Sequence, residues 1–83
     1  MEYLKVEFEE RRRVMVNNVP NGFTNSVIEA PGGAHTVTLA PPVDFSPTSQ
    51  EVWLENTAPM DACRISFHKL PPAAIPPAPG RPS

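Results

Sequence analysis

His35, Asp61, Cys63 and His68 are the residues whose types bind metals or carry nucleophilic chemistry. A structural zinc site needs four ligands at short, regular spacings, and these four match no such pattern. Cys63 is the single cysteine, which excludes an intramolecular disulfide. A thiol nucleophile needs a neighbouring histidine and a carboxylate to orient it. Cys63 instead alternates with Ile65 and Phe67, which puts it on a core-facing side as a small hydrophobe. His35 follows the turn residues Pro31-Gly32-Gly33, where an imidazole at the start of a strand can cap backbone groups. Neither further glycines nor a lysine follow Gly32-Gly33, so the pair reads as a turn and not as a phosphate loop. No catalytic set, metal site or cofactor is expected from these residues.

Other side chains suit recognition better than reaction. In Val52-Trp53-Leu54 the alternation gives the two aliphatics one face and the indole the other. A tryptophan on the outside of a sheet is a frequent contact anchor, and the equal alternative is that the 56–62 loop or the tail covers this outer face. Arg11-Arg12-Arg13 is a local basic run that can meet a phosphate or an acidic partner, although Glu9 and Glu10 adjoin it and nearly cancel its charge. The bland reading is a solvated hairpin bend. Nucleic-acid binding would also require aromatic platforms beside the arginines, and Tyr3 is the nearest. Pro76, Pro79 and Arg81 fit the PxxP-plus-basic form read by SH3-type grooves. A linker or frayed end is the plainer account of that stretch.

Such side chains need strands to position them. Leu4, Val6 and Phe8 share one face of residues 3–9, with Tyr3, Lys5, Glu7 and Glu9 on the other. Val14 and Val16 resume the alternation. Asn21-Gly22 is a turn signal, since both residues tolerate positive φ. Val27-Ile28 opens an apolar stretch that ends at Pro31-Gly32-Gly33. Thr36–Leu39 alternates again and stops at Pro41-Pro42, because proline cannot donate to a ladder. Val52–Leu54 and Cys63–Phe67 read as two further strands, with a loop around Pro59 between them. The prolines leave no long amphipathic window, so helix is not expected.

Residues 14–39 carry a recognisable cadence: Val14–Asn18, then Gly22-Phe23-Thr24, Val27-Ile28, and Gly33–Leu39 led by His35. This resembles the PEGA domain, a short β module with strand, turn, glycine-x-threonine, apolar pair, proline-glycine and a histidine-led strand in that order. Phe45-Ser46-Pro47 followed by Val52–Leu54 is similar to that pattern's aromatic-containing loop and last strand. The likeness covers about residues 4–55. Asn17-Asn18 replaces the aspartate-glycine common in the family, and Asn25 stands where proline is usual. The resemblance implies a β fold and brings no catalytic residues with it.

The chain has 83 residues, enough for one domain. Residues 71–83 hold six of its twelve prolines, a composition that favours extended polyproline II over a core. The reading is therefore a small antiparallel β-sandwich or barrel-like domain over residues 1–70, with a disordered proline-rich tail over 71–83. So small a domain has marginal burial, which makes self-association a real option. A net charge of −2 gives no general pull toward nucleic acid or anionic membranes, and no apolar run is long enough to span a bilayer. A lone thiol without an export signal fits a reducing cytoplasm. The expected role is a non-catalytic interaction or assembly module working through a sheet edge or face on a protein partner or a second copy. A subunit of a homo-oligomeric assembly and an accessory subunit of a separate enzyme are the alternatives.

Overall fold

Alternating apolar residues in the computed structural model of the chain, which describes residues 1–71, build nine strands and no helix. β1 (Glu2–Glu7), β4 (Val27–Ala30) and β8 (Cys63–Ser66) form a three-stranded sheet in the order β4-β1-β8. β2 (Arg13–Val16), β3 (Val19–Phe23), β5 (Gly33–Leu39) and β7 (Gln50–Leu54) form a four-stranded sheet in the order β3-β2-β5-β7. A third, two-stranded ribbon pairs β6 (Phe45–Ser46) with β9 (His68–Lys69). All pairings are antiparallel except β1 with β8, where Leu4 aligns with Cys63 and Val6 with Ile65. The loop after β7 carries the chain to the other sheet before β8 begins, and so lets β8 run alongside β1.

The period-two pattern delivers the core. Leu4, Val6 and Ile28 from the first sheet meet Val14, Val16, Val37, Leu39 and Leu54 from the second, all buried. Val52, Cys63 and Ile65 are half-buried against them. Phe8, Phe45 and Phe67 close one end edge to face, with centroid separations of 6.3 and 5.6 Å. This geometry satisfies the ring quadrupoles, and it fastens the β6–β9 ribbon over the sandwich.

Two expectations about the connections are corrected. The hairpin between β2 and β3 turns at Asn17-Asn18, where Val16 faces Val19 and the φ values are 52° and 65°. Two consecutive left-handed residues give the turn whose twist matches that of the flanking strands. Asn21-Gly22 is not a turn but lies inside β3. Between the pairs Arg13–Phe23 and Met15–Pro20, β3 uses one residue more than β2. Gly22, at φ 71°, absorbs that extra residue as a β-bulge. The expected bend at Arg11–Arg13 is likewise not a hairpin: β1 and β2 belong to different sheets, and residues 8–12 cross between them.

Thr24 and Asn25 hold this crossover. The buried Thr24 hydroxyl accepts from Arg12 N at 2.8 Å and donates to Glu10 O at 2.7 Å. Asn25 bonds both backbone groups of Phe8 through its carboxamide, and its own N–H donates to Val6 O at 2.7 Å. Its φ is 63°, a conformation closed to proline, which explains the asparagine at this position. Single carboxamides bridge the seams between the sheets. Asn21 donates to Glu29 O at 3.1 Å and Gln50 to Ser66 O at 2.7 Å. Residues 72–83 of the expected tail, with Pro76, Pro79 and Arg81, lie outside the described residues.

Candidate functional site: the outer face of the four-stranded sheet

Because Val14, Val16, Val37, Leu39 and Leu54 point inward, their neighbours must form the opposite face. That face carries Trp53 and Glu51 on β7, Ala34, Thr36 and Thr38 on β5, and Met15 and Arg13 on β2. Trp53 lies opposite Ala34, and Glu51 opposite Thr36. Trp53 is 63 % exposed. A short partner such as Ala34 leaves the indole uncovered on its own sheet. The loop at residues 55–62 does not cover it either, being tied to β1. There the Glu2 carboxylate accepts from Thr57 N and from the Thr57 hydroxyl, at 2.8 and 2.6 Å, and the hydroxyl accepts from Tyr3 N at 2.7 Å. These bonds hold the Glu2 carboxyl below its ordinary range, the hydroxyl bond contributing most.

The arginine run divides into two chemistries. Arg12 is not available for recognition, correcting its place among the binding candidates. Its guanidinium chelates Asp44 at 3.0 and 3.2 Å, pairs with Glu10, and donates to the carbonyls of Ala40 and Pro42. Lys69 completes the cluster with Glu10 at 2.9 Å and Asp44 at 3.3 Å. The Arg12 and Asp44 side chains are only 11 % and 12 % exposed. This cluster joins the crossover, the loop before β6 and strand β9. Arg11 and Arg13 are both exposed and lie over the Phe23 ring, 3.8 and 4.1 Å from its centroid. Two guanidinium groups that close to one centroid have room only on opposite faces of the ring. Along the chain Glu9 and Glu10 offset the whole run. The structure spends Glu10 on Arg12 and Lys69, which leaves Arg11 and Arg13 without ion pairs among the described residues.

The cluster has a pH signature. Asp44 is held down to about 2, chiefly by the Arg12 hydrogen bonds with Lys69 assisting, and Glu10 is lowered by Lys69 and then Arg12. A carboxylate with a depressed folded-state pKa contributes stability that is complete above its unfolded value. That contribution is lost as pH falls from about 4 to about 2. Wild-type protein is expected to be more stable than Asp44→Asn at pH 5 on urea unfolding. The gap should narrow steadily toward pH 2. A constant gap would show that Asp44 acts without its charge.

The residues considered for reaction chemistry are dispersed. His35 is the third residue of β5, Asp61 and Ala58 bond each other across the tight turn at Pro59-Met60, Cys63 starts β8, and His68 sits on β9. Among the described residues no three His, Cys, Asp or Glu side chains gather where they could hold a metal ion. Asn17 accepts from Thr36 N through its carboxamide oxygen, so its NH2 faces His35 Nδ1 at 2.9 Å. His35 Nδ1 therefore accepts, and Nε2–H donates to Pro31 O at 2.6 Å. The ring is a structural cap with both nitrogens engaged. An open cavity of about 170 Å³ beside it is lined by Asn17, Ala34, His35, Thr36 and Glu51, too small for most cofactors. No helix among the described residues is long and apolar enough to cross a membrane.

Comparison with protein-family models, with curated proteins and with solved structures finds no match to this chain.

Proposed function

We propose that the chain is a non-catalytic interaction module, related in plan to PEGA domains, that engages a protein partner through the outer face of its four-stranded sheet. The exposed Trp53 carries this reading: a large indole stands on a strand held rigidly by five aligned residue pairs with β5. Covering such a side chain is worth on the order of 2 kcal/mol, and a pre-ordered strand loses little entropy on binding. The engaged His35 ring and the ion cluster around Arg12 support a structural and not a reactive role for those groups.

Trp53→Ala should leave the melting temperature within about 4 °C of wild type, since exposed substitutions change stability by about 0.5 kcal/mol. Crosslinking in cells should at the same time lose the contacts made by wild-type protein. Retention of every crosslink by a folded Trp53→Ala variant would remove the face as the site of interaction.

A further inference from the structure

The outer face of the four-stranded sheet is complementary to itself. Trp53 and Glu51 occupy one corner, in register with Ala34 and Thr36 at the start of β5. Arg13 and Phe23 occupy the opposite corner, with Arg11 against the same ring, and Ala40 N donates to Arg13 O just beyond the end of β5. Six residues of strand and two strand spacings separate these corners, a diagonal of about 22 Å. One corner is aromatic and acidic, the other aromatic and basic. Between them lie the uncharged Met15, Thr36 and Thr38. Among the described residues neither Glu51 nor Arg11 nor Arg13 has an ion-pair partner. Residues 72–83 contain no Asp or Glu side chain that could supply one to the arginines.

Resting on the interaction-module reading, we propose that the partner is a second copy of this chain, docked face to face. A two-fold axis lying in the plane of the face and perpendicular to its diagonal exchanges the two corners. Trp53 of each protomer then stacks on the Arg11–Phe23–Arg13 layer of the other, and Glu51 meets Arg13. The contact is isologous, so it closes at a dimer and does not propagate. Arginine stacked on an aromatic ring keeps its N–H edge free for a carboxylate while its face receives an indole. A face of about 20 by 14 Å buries on the order of 600 Å² in total, well under what a stable dimer needs and in the range of weak, reversible association. Its ion pairs sit at the rim, where salt screens them.

Sedimentation equilibrium of the full chain tests this from about 10 μM to 1 mM, a range suited to weak association, in low salt and in roughly 0.5 M sodium chloride. The wild type is expected to dimerise in low salt and to lose at least about tenfold in affinity in high salt. Glu51→Arg and Arg13→Glu should each abolish the dimer, because each sets like charges against each other at both corners. The double variant Glu51→Arg/Arg13→Glu restores opposite charges and should dimerise again. Melting curves identify any variant that fails to fold, and Glu51→Gln with Arg13→Gln then serve in its place, each expected to weaken the dimer. A chain that stays monomeric throughout overturns the second-copy proposal, as does a dimer indifferent to these substitutions or a double variant without recovery. The broader reading is judged separately by the Trp53 crosslinks, which another protein can supply.

Discussion

Replacing Gly22 by alanine is expected to destabilise the domain by about 2–4 kcal/mol, combining a left-handed backbone with steric overpacking. At φ 71° an L side chain is strained, and a Cβ built there would lie 2.7 Å from Ile28 Cγ1. Ile28 is buried between β1 and the second sheet, so it cannot swing away without opening the core. For a domain of this length the melting temperature should fall by roughly 10 °C or more. Gly22→Asn isolates the collision, because asparagine tolerates the left-handed region yet still carries a Cβ. It should remain well below wild type. Gly32→Ala is the matched control, since its nearest neighbours would be at 3.4 and 3.5 Å, and it should cost less than about 1 kcal/mol. Equal melting of the Gly22 and Gly32 alanine variants would mean that residue 22 lies in an open turn after all.

Thr24→Val should be comparably damaging, by about 2–4 kcal/mol, although it preserves side-chain shape. The hydroxyl is the partner of both Arg12 N and Glu10 O, and Thr24 is only 2 % exposed. Valine leaves that N–H and that carbonyl without the partner that satisfied them, each at about 1–3 kcal/mol. Thr24→Ser keeps both bonds and loses one methyl, so about 1 kcal/mol is expected. Urea unfolding of the two variants separates hydrogen bonding from packing. A serine variant as unstable as the valine variant would place the contribution of Thr24 in its methyl group.

The longer strands were legible in the residues themselves, whereas β3, which holds the expected turn Asn21-Gly22, and the two-residue β6 and β9 were not. Leu4-Val6-Phe8, Val14-Val16, Val37-Leu39 and Val52-Leu54 alternate with polar neighbours, and a period of two admits one structure and one choice of inward face. The outward placement of Trp53 follows from the same local rule. Turn chemistry was legible only in kind. Asn17-Asn18 and Asn21-Gly22 both offer residues that accept positive φ, and nothing local separates a hairpin from a bulge. That choice depends on which strand pairs with β2, and in which register, so it rests on contacts distant in sequence. The same holds for Glu10. Beside Arg11–Arg13 it reads as a cancelling charge, but Asp44 and Lys69 arrive from 32 and 57 residues beyond Arg12 to claim Arg12 and Glu10 between them. Composition and alternation determine the longer strands and their faces because those effects act between neighbours. Tertiary structure alone decides which charges are neutralised and which remain to meet a partner, because ion pairing depends on distance in space and not along the chain.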